Sequence, residues 1–168
     1  MQQLPKDFEY ATLKNLVSIA LSDQKISQDR KMVLEEIIWL ADSFYDIEFK
    51  HDSDIFERVI LPISDSENRD IEDVRFRGFF NDHKSQRIIG TYTAYNGHTI
   101  LPKTISTQDF YAFSAMPMYG ASAQNKNLAL YPRKIKDKYA MLSRIDGVNN
   151  YLMFSEKLTQ WDNPVVLQ

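Results

Sequence analysis

The sequence predicts a mainly β protein with an N-terminal helical segment. Apolar residues recur at helical spacing before about residue 50 and at strand spacing after residue 70. Turn-forming pairs such as Asn96-Gly97 and Lys136-Asp137 separate successive candidate strands. The strands group into four-stranded units of ~40 to 50 residues, which is the period of a propeller blade. The predicted division is a helical segment over residues 1–50 and a partial β-propeller over residues 51–168.

Two apolar stripes separated by a polar break at residues 22–25 define the helical segment. The first stripe consists of Leu13, Leu16, Val17 and Ala20, and the second of Val33, Ile37, Leu40, Ala41 and Phe44. Ser27 is a typical N-cap for the second helix, and Asp29 in its first turn favours the helix dipole. Such a hairpin could bind a partner, but we favour an extension packed on the main domain.

The β region contains seven candidate strands joined by short turns. They cover residues 72–80, 87–95, 98–102, 109–115, 128–135, 138–144 and 150–154. Asn81-Asp82 and Asp146-Gly147 provide further turns between them. Sequential hairpins indicate a meander, for which a barrel, a sandwich and a propeller are the natural architectures. Two units cannot close a propeller, so we expect a partial chain.

Composition narrows the function classes. The 168 residues carry a formal net charge of −3, which gives no general attraction for nucleic acid or an anionic membrane. The absence of cysteine excludes disulfides and thiolate metal sites. His51, His83 and His98 lie in polar contexts without metal-site spacing, and we expect them to be exposed. With no apolar run of ~18 residues and no visible signal peptide, the expected compartment is the cytoplasm.

Three segments in order over residues 70–168 carry a more specific signal. The first is Glu72-Asp73-Val74-Arg75, followed by the strand Thr91-Tyr92-Thr93-Ala94-Tyr95. The second is Thr107-Gln108-Asp109-Phe110, and the third runs over residues 125–144 with Ser155 and Trp161 beyond it. In residue type, order and spacing they resemble the motifs of glycoside hydrolase family 130, the β-mannoside phosphorylases and β-mannosidases. Val74 departs from the family pattern, which has proline there.

The resemblance implies a five-bladed β-propeller with the active site at one end of its central channel. It implies cleavage of a β-mannosyl oligosaccharide with inversion, and phosphorolysis then yields α-mannose 1-phosphate. Inorganic phosphate would be the co-substrate, and neither a metal nor another cofactor is implied. Because open blades expose sheet edges, the chain is expected to form a homo-oligomer or to pair with a chain that completes the propeller.

Asp73 aligns with the family's general acid, which in the phosphorylases acts through a sugar hydroxyl. Adjacent strand residues point to opposite faces, so we expect Asp73 and Arg75 to share one face and Glu72 to point away from it. A carboxylate and a guanidinium two residues apart are also what an ordinary surface ion pair looks like. The family alignment favours the catalytic interpretation.

A phosphorylase also needs cations to hold the phosphate dianion. Lys126 and Arg144 match family positions and are the candidates for phosphate binding, whereas the basic cluster around Lys134 and Lys136 is expected to be solvated. The predicted sugar-binding residues are Arg75, Tyr95, Asn127 and Asp146. Tyr95 could equally be a core aromatic, and Asp146-Gly147 could simply be a turn.

Other functions stay open at this point. A β-mannosidase would use carboxylates to activate water in place of phosphate. A truncated relative could bind carbohydrate or assist assembly while keeping Asp73 by descent alone. A small independent β-sandwich would make the three matches coincidental.

Overall fold

A computed structural model describes residues 8–80 and 86–167 of the chain. The predicted turn at Asn81-Asp82 and the side chain of His83 lie outside the described residues. The chain divides into two compact units, Met1–Ser43 and Phe44–Gln168.

The first unit is a helical hairpin, which confirms the predicted helices. Helix α1 spans Tyr10–Leu21 and helix α2 spans Gln28–Asp42. The Ser27 hydroxyl caps α2 by accepting a hydrogen bond from the Arg30 backbone N–H at 3.4 Å. Among the described residues, no helix is long and apolar enough to cross a membrane.

The second unit begins with a strand that the sequence did not predict. Strand β1 spans Tyr45–Glu48, within the stretch expected to be helical. It is extended because its backbone pairs with a later strand of the same sheet, in the register Tyr45 to Ala115. Phe44, which was assigned to the second helical stripe, therefore lies beyond the end of α2.

Strands β1 to β5 form one antiparallel sheet in the order β1-β5-β4-β3-β2. The remaining strands of this sheet are β2 (Asp70–Phe80), β3 (Gln86–Tyr95), β4 (Ile100–Thr107) and β5 (Ala112–Pro117). The predicted meander of four strands is confirmed as β2 to β5. The predicted starts at residues 98 and 109 are wrong because Asn96 and Asp109 each accept two backbone N–H bonds that close a turn.

A second antiparallel sheet has the order β6-β7-β8-β9. Its strands are β6 (Ala129–Leu130), β7 (Tyr139–Ser143), β8 (Tyr151–Ser155) and β9 (Val165–Val166). The predicted strand over residues 128–135 is mostly not a strand, because Pro132 has no N–H to continue the ladder. The predicted turn at Lys136-Asp137 is confirmed, with both residues at positive φ.

A hydrophobic core joins the two sheets. Phe79 of β2 and Ile89 of β3 pack in one buried cluster with Met141 of β7 and Met153 of β8. Trp161 is fully buried in the same cluster, and its indole N–H donates to the Leu158 carbonyl at 2.8 Å. The fold is therefore mainly β, with two antiparallel sheets and a helical hairpin.

Candidate active site at the β2 bulge

The candidate acid Asp73 lies on a β-bulge, which changes the predicted geometry of its strand. Glu72 pairs with Thr93 and Arg75 with Thr91, so Asp73 and Val74 together oppose the single residue Tyr92. Asp73 has φ +59°, a left-handed conformation that aspartate tolerates better than most residues. Its side chain is exposed.

The bulge changes which side chains of β2 share a face of the sheet. Residues that pair across neighbouring strands share a face, so Glu72 and Arg75 both lie on the face of Thr93 and Thr91. The prediction that Glu72 points away from Arg75 is wrong, because one extra residue shifts the alternation of side chains. Glu72 thereby joins the candidate site.

A turn before β6 faces this side of the bulge. Asn125 and Asn127 both have φ +66°, and asparagine is well suited to that conformation. The Thr91 hydroxyl donates to the Leu128 carbonyl at 2.7 Å and anchors the end of the turn to β3. Lys126, between the two asparagines, is held next to the bulge.

Two side-chain pairs connect the bulge to this turn. Lys126 forms an ion pair with Glu72, and the Arg75 guanidinium donates to the Asn127 amide oxygen at 2.9 Å. The structure thus brings together four of the predicted site residues, namely Asp73, Arg75, Lys126 and Asn127. Glu72 and Arg75 of β2 bind the consecutive residues Lys126 and Asn127 of the turn, and Asp73 and Val74 lie between the two pairs.

The carboxylates of β2 dominate the electrostatics around Lys126. The hydrogen bond that Lys126 donates to Glu72 is the main cause that raises the pKa of Lys126, and the negative charges of Asp73 and Asp70 raise it further. Lys126 is therefore a protonated hydrogen-bond donor at neutral pH. An ammonium has three N–H donors, so its pairing with Glu72 is compatible with contacts to a ligand.

Arg144 and Asp146 lie in the loop that follows β7, and this loop reaches the same turn. The Asn125 amide donates to the Ile145 carbonyl at 3.4 Å. Arg144 donates to the carbonyls of Gly147 and Val148 at 3.0 and 3.3 Å. Asn125, which the sequence interpretation did not single out, is the residue that links the two segments.

The carboxylate of Asp146 is engaged within its own loop. It accepts the backbone N–H groups of Val148 and Asn149 and the Tyr151 hydroxyl, all within 2.9 Å. The two backbone donors are the main cause that holds the pKa of Asp146 well below its usual range. These bonds fix the loop, so a sugar contact by Asp146 would have to be made alongside them.

Tyr95 is half-buried at the end of β3, where it pairs with Asp70. Its hydroxyl donates to the Gly97 carbonyl at 2.7 Å, within the hairpin that Asn96-Gly97 forms. Of the histidines, His51 and His98 are exposed, as predicted. Lys134 and Lys136 are also exposed, in agreement with the solvated interpretation.

Behind the bulge, a buried charged network supports Tyr92, and the sequence analysis did not predict it. Glu67 and Lys103 are both fully buried, and Glu67 accepts hydrogen bonds from the hydroxyls of Tyr45 and Tyr92 at 2.9 and 2.7 Å. Burial and the neighbouring Glu67 charge raise the pKa of both tyrosines. Lys103 lies on the same face of β4 as the buried residues Leu101 and Ile105, and its charge is compensated there by Glu67, a partner 36 residues away in sequence.

A cavity of about 340 Å³ lies beside this network. Val74 and Phe76 of β2 line it together with Tyr45 and Tyr92. It is therefore on the face of the sheet opposite the Glu72–Lys126 pair. The strand that carries the candidate acid thus has this cavity on one face and the charged Glu72–Lys126 pair on the other.

The fold and site define a two-sheet β protein with an exposed carboxylate held beside a lysine and an arginine. The family model described as "beta-1,4-mannooligosaccharide phosphorylase" matches residues 25–167, and the chain belongs to this family, glycoside hydrolase family 130. Members of this family are mannoside-processing enzymes. The family resemblance that the three motifs predicted is thus confirmed.

A solved structure has a similar fold. It is described as a β-1,2-mannobiose phosphorylase from Listeria innocua in complex with β-1,2-mannobiose. The TM-score is 0.52 and the identity 19%, over 63% of this chain and 30% of that one. The chain therefore spans less than a third of the length of this structural neighbour. A comparison with curated protein sequences gave no match.

Proposed function

We propose that this chain contributes the acid-bearing part of a β-mannoside phosphorylase. In the proposed reaction the C1–oxygen bond of a β-mannoside breaks, and a phosphate oxygen forms the new bond to C1 from the opposite ring face. The proton of Asp73 reaches the leaving oxygen through a sugar hydroxyl. The products are α-mannose 1-phosphate and the shortened sugar.

The observation that carries this proposal is the placement of Asp73 between two cation-containing pairs. In a member of family 130, an exposed carboxylate between Glu72–Lys126 and Arg75–Asn127 suits a sugar held by hydrogen bonds. We assign Arg75, Asn127, Tyr95 and Asp146 to sugar binding. We assign Lys126 and Arg144 to phosphate, because both are cations on the two segments that Asn125 connects.

We further propose that the two sheets are two blades of a five-bladed propeller. The site then requires further blades around the channel, and copies of this chain or a complementary chain are one source of them. The exposed Val165 and Val166 of β9 are consistent with such a neighbour, because they leave an apolar sheet edge open. We expect a cytoplasmic protein that needs no metal.

A second candidate reaction is hydrolysis of the same β-mannosides. It is favoured by the concentration of carboxylates around Lys126, where Asp70, Glu72 and Asp73 all act on the pKa of one ammonium. Negative charge there opposes the binding of a phosphate dianion and suits the activation of a water molecule. A carbohydrate-binding relative without activity is the third possibility.

The test is to incubate the purified chain with β-1,2- and β-1,4-mannobiose, with and without inorganic phosphate. α-Mannose 1-phosphate and free mannose are then quantified. Asp73→Asn is compared with Asp137→Asn, because Asp137 is also exposed and has a similar φ of +61°. The control thus makes the same chemical change on the same backbone conformation, in a turn outside the site.

Phosphate-dependent mannose 1-phosphate that is lost in Asp73→Asn and retained in Asp137→Asn would support the phosphorylase. Release of free mannose that does not depend on phosphate would contradict the phosphorylase proposal and support hydrolysis. If folded protein gives neither product, both reactions are wrong for this chain. A retained affinity for mannobiose, measured by calorimetry, would then identify the binding function.

A further inference from the structure

Glu72 has no role in the reaction proposed above, yet its carboxylate forms the ion pair with Lys126. Both side chains are partly exposed, at 30% for Glu72 and 39% for Lys126. An exposed pair contributes little to stability, with typical values of about 0 to 1 kcal/mol. The location of the pair, directly before the candidate acid, is what distinguishes it from other surface ion pairs.

The bulge at Asp73 depends on its neighbours for its conformation. A non-glycine residue at φ +59° costs about 1 to 2 kcal/mol and persists where the surroundings fix it. Within the described residues, the Asp73 carboxylate makes no hydrogen bond of its own. The contacts that hold this stretch of β2 to the rest of the site are therefore those of Glu72 and Arg75.

The partners of Glu72 and Arg75 are themselves fixed. Thr91 anchors Leu128 at 2.7 Å, and this bond is buried. The Asn125 amide attaches the start of the turn to the loop after β7. The turn is thus held in place by these bonds. Glu72 and Arg75, which flank Asp73 and Val74, attach the bulge to it.

We propose that Glu72 is a positioning residue, which through its ion pair with Lys126 holds the Asp73 bulge and the Lys126 ammonium in their working arrangement. This inference rests on the proposed function, in which Asp73 is the acid. Glu72 touches neither the sugar nor the phosphate in this proposal. It acts through Lys126, while Arg75 and Asn127 hold the other side of the bulge.

The test compares Glu72→Gln with Glu156→Gln. Glu156 forms a surface ion pair with Lys138 at 4.0 Å, so the control removes a carboxylate from another Glu–Lys pair of the same unit. Displacing a catalytic group by about 1 Å costs on the order of 100-fold in rate, so Glu72→Gln should lower kcat by about 10- to 100-fold. Because Glu72 also holds the phosphate-binding Lys126, the KM for phosphate should stay the same or rise, and Glu156→Gln should match the wild type in both constants.

A charge exchange, Glu72→Lys with Lys126→Glu, separates positioning from phosphate binding. The exchange restores the ion pair, so it should recover part of the kcat lost in Glu72→Lys alone, while phosphate affinity falls because Lys126 is lost. If Glu72→Gln instead lowers the KM for phosphate and leaves kcat unchanged, Glu72 competes with phosphate for Lys126. That result would overturn the positioning role.

A second readout does not depend on activity. In NMR spectra of the Glu72→Gln protein, the Lys126 ammonium should titrate at a lower pH than in the wild type, because Asp73 and Asp70 would be the remaining charges that raise its pKa. The backbone amide of Asp73 and the side-chain amide of Asn127 should also shift. Unchanged resonances at both would refute the positioning role of Glu72, even if Asp73→Asn is inactive and the proposed reaction is correct. If the resonances shift while Asp73→Asn stays fully active, Glu72 does position the bulge and the proposed function is wrong.

Discussion

The Lys103 ammonium lies 2.6 Å from the Glu67 carboxylate, and both side chains are fully buried. Lys103 also lies over the Tyr45 ring, 4.4 Å from its centroid, and Glu67 accepts backbone N–H bonds from Ile63 and Ser64. The pair belongs to the network that holds Tyr92, the residue directly opposite the Asp73 bulge. It therefore supports the candidate site from behind.

We expect that removing one member of this pair is more damaging than removing both. Lys103→Met leaves the Glu67 carboxylate buried without its counter-charge, and Glu67→Gln does the same to the ammonium. Each single change should lower the free energy of unfolding by about 3 to 5 kcal/mol. The double variant should lose much less than the sum of the two, as measured by urea unfolding. Strictly additive losses would mean that the pair is not formed in solution.

The same pair predicts how stability depends on pH. Burial opposes ionisation of Glu67, but the Lys103 ammonium and the Tyr92 hydroxyl outweigh it and lower the pKa of Glu67. A carboxylate with a lowered pKa in the folded state stabilises the protein above its unfolded pKa of about 4.3. This stabilisation is lost as the pH falls through the lowered pKa that Glu67 has in the folded protein.

Urea unfolding between pH 3 and pH 7 provides the measurement. The difference in unfolding free energy between the wild type and Glu67→Gln should be largest near neutral pH and should shrink as the pH drops below about 4. Asp65→Asn is the control, because Asp65 is an exposed carboxylate of the same short 3₁₀ turn. A difference that stays constant over this pH range would contradict the ionised pair.

How much of this molecule the sequence predicts depends on whether the interactions are local. The helices, the meander and the turns at Asn96-Gly97 and Lys136-Asp137 follow from local patterns, and the structure has them. The motif resemblance also led to the family. Strand β1 was missed because a partner more than 60 residues away makes it extended. Glu67 and Lys103 were missed for the same reason, since they are 36 residues apart.

Sequence reasoning singled out Asp73, Arg75, Lys126 and Asn127, which the structure brings close together, but it placed Glu72 on the wrong face. The error arose from a single extra residue, because a bulge reverses the alternation beyond it and no simple pattern marks it. The two asparagines that flank Lys126 were a usable signal. Paired Asn residues around a lysine indicate left-handed backbone positions, and both have φ +66°.

The left-handed backbone at Asp73 gives a last prediction, in which stability and activity change in opposite directions. Glycine adopts φ +59° without steric cost, so Asp73→Gly should be as stable as the wild type or more stable by up to about 1 kcal/mol. Asp73→Ala should be less stable than Asp73→Gly by about 1 to 2 kcal/mol, with Asp73→Asn close to the wild type. All three variants should lose mannoside-cleaving activity, because each removes the acid.

Asp46 of β1 provides the matched comparison for this series. It is exposed, it pairs with Ser114, and its φ is not positive. Glycine weakens a regular strand, so Asp46→Gly should destabilise the protein by about 0.5 to 1 kcal/mol relative to Asp46→Ala, the opposite order from residue 73. If the alanine variant is the more stable of the two at both positions, the bulge is not formed in solution. If glycine is the more stable at residue 73 and alanine the more stable at residue 46, the chain keeps a strained aspartate where glycine is more stable. This is expected if the carboxylate serves the reaction.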